Sequence, residues 1–344
     1  ANQTWWVNVS LPPADIVYPL FSNYLDNNAT LVNSGIGWFN ATVANTNGTV
    51  FLQINGVNYT ATNLTADVYN VSVPFSIGNK IVISGRVESR VGTTDSQIFF
   101  FENNNNEWVK IESAPVFKLE DGFVTQMDGE IIFGGVEIYK RPTALDPNNT
   151  EYRTVFYRGH DLISLQKFTE GPNSMKDVRL LKLKSGKIAV FTRPTGGEYG
   201  NGKIGYTEID KLEELNSDTV LRAKIIENQF APNEWGGANN LHELDDGMIG
   251  VVGHVAYLDA NISKHYYSAI FIYGPKTHKA SPIKIIAKRG DFPSGNSKTP
   301  QLEDVIFTGG LVRHSNGTAS IYVGLGDAEA GVITIPDPFL DHAI

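Results

Sequence analysis

The sequence contains no cysteine. That absence removes disulfides, thiolate metal sites and cysteine nucleophiles together, so stability must come from packing. Basic residues are sparse: 28 Lys and Arg against 37 Asp and Glu give a formal charge of -9. They are also scattered, and no Lys/Arg stripe offers a nucleic-acid backbone the counterion release that drives such binding. Nucleic acid is therefore not an expected partner. No apolar run approaches the roughly 20 residues of a membrane-spanning helix, so no membrane span is expected. No two histidines stand at ligand spacing on one strand, and neither a metal nor another cofactor is expected. Helical periodicity is missing too, apart from a short turn over residues 208–216.

What is present is β patterning. With 344 residues, 41% of them hydrophobic, the chain has material for one large core or two ordinary ones. From about residue 67 a unit recurs five times: a short strand opened by a polar residue, a tight turn with Gly, then a very apolar strand ending at a polar residue. The openers are Asp67, Asp121, Asp177, Asn239 and Asp304. The turns are at Gly78, Asp128-Gly129, Ser185-Gly186, Asp246-Gly247 and Asn316-Gly317. Asp-Gly and Asn-Gly supply the positive φ angles of hairpin turns. The apolar strands end near Arg86, Glu137, Arg193, His254 and Asp327. Regular hairpins of this kind, most followed by one or two further alternating segments, predict an all-β chain whose residues 51–344 form a five-bladed β-propeller. An irregular β-sandwich is the alternative, but it gives no reason for polar residues to recur at equivalent places.

Residues 1–50 read as a separate β arm. Trp5, Val7, Val9 and Leu11 alternate onto one face of a strand that Pro12-Pro13 would stop. N-x-[ST] acceptors stand at Asn2, Asn8, Asn28, Asn40, Asn47, Asn58, Asn63, Asn70, Asn148, Asn261 and Asn316, most of them in the first 70 residues. Each triplet alone is weak. Their clustering, a start at Ala1 without a signal segment and the lack of cysteine together predict a secreted, glycosylated protein of a cell surface, of the kind found on thermophilic archaea.

In a propeller the innermost strands line a central channel, so equivalent residues converge there. Converging carboxylates are what glycosidic chemistry requires, one to protonate the leaving oxygen and another to stay ionised. Crowding is expected to raise at least one of their pKa values. Asp121, Asp67, Asp177 and Asp304 are the catalytic candidates, although an Asp at a strand start also caps turns. Arg86, Arg179 and Arg193 suit an anion such as inorganic phosphate, a candidate co-substrate. Trp235, His254, His265 and Tyr266 offer hydrogen bonds or a stacking face to a sugar. Asn239, Glu137 and Asp327 complete the candidate binding set.

Several segments carry a family resemblance: DVYNVSVPF from Asp67, MKDVRLLKLKSGKIAVFTRP from Met175, NQFAPNEWGGANNLHEL from Asn228, and LEDVIFTGGLVRHSNGTASIYVGLGDAEAGVITIPDPF from Leu302. Over about residues 51–340 the chain resembles the DUF1861 family, itself similar to the five-bladed propellers of glycoside phosphorylases and β-1,2-mannosyltransferase/phosphorylases. The resemblance implies a mannoside-directed site in the channel with Asp121 as general acid, here followed by Gly122 rather than the usual Pro. It also implies an acidic residue where Asn240 stands. Three readings follow. One is a secreted enzyme acting on mannosides by phosphorolysis, transfer or hydrolysis. Another is a filament or surface-layer subunit, assembled from identical copies by insertion of the strand bearing Trp5, Val7, Val9 and Leu11. The third is a propeller that binds glycans without catalysis.

Overall fold

A computed structural model describes residues 66–90, 96–105, 107–140 and 150–340 in full, and five earlier strands as backbone only. The chain divides into two compact units, Ala1–Leu64 and Thr65–Ile344. In the first, β1 (Trp6–Val9), β4 (Val50–Ile54) and β5 (Val57–Thr60) form one antiparallel sheet, and β2 (Leu20–Asp26) pairs with β3 (Phe39–Ala44). The division falls beyond the 50/51 boundary read from the sequence because β4 pairs with β1.

The second unit is built from five consecutive antiparallel groups of strands, sheets one to five, the last two joined by a short parallel pairing of His265 and Tyr266 with Asp304 and Val305. In the first, β6 (Ala66–Tyr69) and β7 (Phe75–Ile77) both pair with β8 (Lys80–Ser89), followed by β9 (Gln97–Asn104) and β10 (Glu107–Lys110). The second holds β11 (Glu120–Met127), β12 (Glu130–Lys140), β13 (Glu151–Gly159) and β14 (Gln166–Glu170). The third holds β15 (Arg179–Lys182), β16 (Ile188–Thr192), β17 (Gly205–Ile209) and β18 (Lys224–Ile225). In the fourth, β19 (Glu234–Glu243), β20 (Ile249–Leu258) and β21 (Lys264–Gly274) precede two short strands on β21, β22 (Lys279–Ala280) and β23 (Lys284–Ala287). The fifth has only β24 (Asp304–Arg313), β25 (Thr318–Leu325) and β26 (Glu329–Pro336).

All five expected hairpin turns join the first and second strands of their sheets, with positive φ at Gly78, Gly129, Gly186, Gly247 and Gly317. The helical turn expected over 208–216 is shifted: β17 runs to Ile209, a 3-10 turn covers Leu212–Glu214, and α1 occupies Ser217–Leu221. Asn216 sets that start, its side chain accepting from the Thr219 amide.

The sheets close into a ring, the propeller read from the sequence. β8 packs on β11, β11 on β15, β15 on β19, β19 on β24, and β25 and β26 return to β6. Apolar clusters fill four of the junctions. Phe100 and Phe133 lie between sheets one and two, Phe156 and Val190 between two and three, Phe191 and Tyr273 between three and four, and Val252 and Ile321 between four and five. The junction of sheets five and one is of another kind. Gly309 lies so close to the Val71 carbonyl that a Cβ there would stand 1.8 Å from the oxygen, and a Cβ on Gly324 would stand 2.0 Å from Asn70 Oδ1. Lys298, tied to sheet five through its amide on the Gly326 carbonyl, forms a buried ion pair with Glu88 of sheet one.

Candidate active site

The first strands meet at the middle of the ring, and each breaks its ladder there. Register shifts fall between Glu120 and Phe123, Ala238 and Asn240, and Thr308 and Gly310. In sheet one the break is the gap between β6 and β7, and in sheet three it precedes β15. A bulge takes the intervening residue out of the pairing. In three sheets that residue is left-handed: φ is 47° at Asn70, 50° at Asp121 and 58° at Asp177. Asn and Asp tolerate this conformation better than other side chains, which accounts for their recurrence. Asn239 and Gly309 take the equivalent places in sheets four and five.

Asn70, Asp121, Asp177 and Asn239 are buried and linked through neighbours. Asp121 Oδ1 accepts from Asn70 Nδ2 at 2.8 Å and from Arg86 Nη1 at 3.1 Å. Asp177 Oδ2 accepts from Arg193 Nη1 at 2.8 Å, and Arg179 Nη2 lies 3.6 Å from its other oxygen. Arg179 Nε donates to the Asn239 carbonyl at 3.0 Å, and its guanidinium lies 3.8 Å from the centre of the Phe123 ring. His254 Nδ1 is 2.8 Å from Asn239 Oδ1. The His254 ring stacks on Tyr266, whose hydroxyl accepts from Trp235 Nε1 at 3.2 Å. Five buried polar atoms of this cluster have no partner among the described residues: Asn70 Oδ1, Arg86 Nε, Arg193 Nε, Asn239 Nδ2 and His254 Nε2. Polar atoms so placed suit a ligand rich in hydroxyl or anionic oxygens.

Burial alone would raise the carboxyl pKa of Asp121, but Arg86, Lys176 and the Asn70 amide outweigh it and hold the group below the usual range. Burial is likewise outweighed at Asp177, chiefly by Arg193, with Arg179 and Lys176 adding to it. Lys176 in turn is held protonated against its burial by these two carboxylates. The upward shift expected of crowded carboxylates falls elsewhere, on Glu120 and Asp327, and burial is its main cause at both. Burial lowers His254 to about 3, so its imidazole is neutral.

The structure therefore gathers Asp121, Asp177, Arg86, Arg179, Arg193, Asn239, His254, Tyr266 and Trp235, with Asp327 in the field of Arg86 and Asp121. Four expected members lie elsewhere. Asp67 is held by Arg90 Nε, at 3.0 and 3.1 Å from its two oxygens. It precedes the bulge by three residues and so never reaches the centre. Asp304 sits at the start of β24, where it meets His265 Nδ1 at 2.7 Å and the Tyr267 hydroxyl at 2.6 Å, and His265 goes with it. Glu137 is bound to Arg153 at 2.9 Å across the β12–β13 pair, and Lys167 lies 3.6 Å away. Asn240, where the resemblance implies an acidic residue, accepts from the Leu311 amide at 3.1 Å and ties sheet four to sheet five.

Asn70 is a correction of another kind. As a buried donor to Asp121 it has no room for a glycan. Asn261 and Asn316 are exposed. Asn8, Asn40 and Asn58 fall in strands described as backbone only, as do Val7 and Val9. Asn2, Asn28, Asn47, Asn63, Asn148, Trp5 and Leu11 lie outside the described residues. Among the described residues no helix is long and apolar enough to cross a membrane, and no three His, Asp or Glu are placed to share a metal ion.

Sequence reasoning missed Asn70 as a site residue, Lys176, Glu120, and the group of Tyr69, Glu88 and Lys298, in which Glu88 accepts from both of the others. A signal for Asn70 was present: the central residue stands seven or eight positions before the hairpin turn in every unit, which selects Asn70 over Asp67 and Gly309 over Asp304.

A family profile described as "Protein of unknown function (DUF1861)" matches residues 43–341. Among solved structures, MPT-4, a mannose phosphorylase from Leishmania mexicana in complex with phosphate ion, is 34% identical, covering 81% of this chain and 86% of that one at a TM-score of 0.74. MPT-1, a GDP-Man-dependent mannosyltransferase from Leishmania mexicana, is 35% identical, with 81% and 88% covered and a TM-score of 0.73. The β-1,2-mannobiose phosphorylase from Listeria innocua shares the fold at 13% identity, with 84% and 95% covered and a TM-score of 0.57. No curated protein sequence matches the chain.

Proposed function

Since this chain belongs to the DUF1861 family, we propose that it moves a mannosyl unit between a mannoside and phosphate at the centre of the ring. The observation that carries this reading is the pairing of two buried carboxylates, Asp121 and Asp177, with Arg86, Lys176, Arg179 and Arg193 in a cluster that still holds unpartnered polar atoms. The cations suit an oxyanion, and the remaining hydrogen-bonding atoms suit sugar hydroxyls. The likeness to a mannose phosphorylase supports the choice of sugar and co-substrate.

Asp121 is the proton donor in this reading, and its low pKa in the free protein is part of the mechanism. A phosphate dianion seated against Lys176, Arg179 and Arg193 offsets the positive field at Asp121, so the carboxylate takes up a proton. That proton passes to the glycosidic oxygen as its bond to the anomeric carbon breaks. A phosphate oxygen forms the new bond to that carbon, releasing mannose phosphate and a free hydroxyl. Asp177 keeps its charge throughout and fixes the two guanidiniums. Tyr266 and Trp235 form an aromatic wall beside the cluster for an apolar sugar face.

The test is release of mannose phosphate from manno-oligosaccharides with and without phosphate, comparing the native chain with Asp121→Asn. Phosphate-dependent cleavage that falls by about 100-fold or more in the variant supports the reading. Absence of any phosphate-dependent turnover in the native chain, across manno-oligosaccharides of different linkage, refutes it.

A further inference from the structure

The fifth sheet is one strand short of its four counterparts, and its outer edge differs from theirs. The outer strands of the other sheets are short or charged: β10 carries Glu107 and Lys110, β14 carries Lys167 and Glu170, and β18 and β22 have two residues each. β26 runs for eight residues, all paired with β25 on one side, and among the described residues nothing pairs with the other side. After Glu329 its residues Ala330 to Ile335 hold no charge and no proline. Folded proteins guard such edges with charge, proline, bulges or brevity, because the free main-chain groups template another strand. β26 has none of these guards over six consecutive residues.

We propose that β26 is an interface with a second copy of this chain, paired antiparallel across a two-fold axis at Val332. Antiparallel self-pairing gives each strand the donors and acceptors that the other lacks, and needs no other partner. Register about Val332 sets Val332 against its own copy, Ala330 against Thr334 and Glu329 against Ile335. No like charges then stand opposite each other, the arrangement that would weaken a strand pair. Side chains agree with this axis. Ala330, Val332, Thr334 and Pro336 are exposed, Val332 at 54%, while Ile333 and Ile335 pack on the core of sheets four and five. Pairing continues the β24-β25-β26 ladder of one copy into that of the other.

Sedimentation of the full chain reads the interface directly. The expected protein mass is twice the 37.8 kDa of one chain. Val332→Lys and Val332→Glu each set like charges across the axis and are expected to sediment as single chains with activity unchanged and a melting temperature that no longer depends on protein concentration. Mixing the two variants is expected to restore the doubled mass, since Lys then faces Glu; a variant that had simply lost its fold would not be rescued. A native chain that stays at single mass at its highest soluble concentration overturns the proposal. So does a dimer that persists in both variants, or one that tolerates them and is lost on removing residues 1–13, which would assign assembly to the N-terminal strand.

Discussion

Asp177→Asn tests the electrostatics of the site through stability rather than turnover. Asp177 is almost wholly buried and faces two guanidiniums that are themselves buried, with Arg193 donating to it at 2.8 Å and Arg179 lying 3.6 Å away as an ion pair. An amide of the same shape removes the charge while filling the same volume, leaving two buried cations without their counterion. Breaking one side of a buried pair costs about 3–5 kcal/mol. For a unit of this size that is about 6–10 °C in melting temperature, at roughly 2 °C per kcal/mol. The pH dependence supplies a second, independent reading. The folded pKa of Asp177 lies below its unfolded value, so its contribution is fully present above the unfolded pKa and is lost as pH falls toward the folded one. The gap between native and variant should be constant from neutral pH down to about 4, the ordinary Asp value. Below that it should shrink by about 1.4 kcal/mol per pH unit. Calorimetry of both proteins across this range gives the curve. A deficit under about 2 °C at neutral pH, less than 1 kcal/mol on the same conversion, would refute the assignment of Asp177 as the anchor of the cluster. A gap that does not change below pH 4 would refute it equally.

Other predictions follow from the same geometry. Phosphate binding should be accompanied by proton uptake at a pH above the second pKa of phosphate, read by calorimetry in buffers of different ionisation enthalpy, and Asp121→Asn should abolish the uptake. Gly324→Ala should lower stability by roughly 1–3 kcal/mol through the clash of its Cβ with Asn70, measured by denaturant melts. Lys298→Met alone should destabilise more than Lys298→Met combined with Glu88→Gln, because the single change leaves buried Glu88 with only Arg86, 3.4 Å away and shared with Asp121, as its cation. Glycopeptide mapping after expression in a host that modifies N-x-[ST] sites should find Asn261 or Asn316 occupied and Asn70 bare.

The hairpins were legible because their turns require positive φ, and Gly or Asp-Gly at each turn announces that requirement. The sheets around them followed from alternation. The centre of the site was only half legible. Asp121 and Asp177 were identified because a carboxylate opening a strand attracts notice, but Asp67 and Asp304 attracted the same notice and lie elsewhere. What separates them is the bulge, a feature of pairing register that composition does not encode. The distance back from the turn does encode it, since the ladder between turn and bulge has nearly constant length. Charge was harder still. Like-charge crowding implies a raised pKa at one or more of the carboxylates, but the result at Asp121 depends on how close Arg86 and Lys176 come. No spacing in the sequence fixes that distance.

The junction between sheets five and one gives the ring a weak point. Each of the other junctions is an apolar cluster, whereas this one depends on glycine contacts and a buried ion pair, both intolerant of small displacements. It is therefore where local opening should begin, and amide exchange at Val71 and Val305 to Ala328 should be faster than at the other inner strands. This seam also borders the site, with Asn70 and Glu88 on one side and Gly324 and Asp327 on the other. A ligand touching both sides would act as a latch, making occupancy and closure one equilibrium. At a hundred times its dissociation constant such a ligand adds about 2.7 kcal/mol against opening. For this ring, substrate would then serve as a structural component of the closed state, and protection of the seam from exchange would report binding without any chemistry taking place.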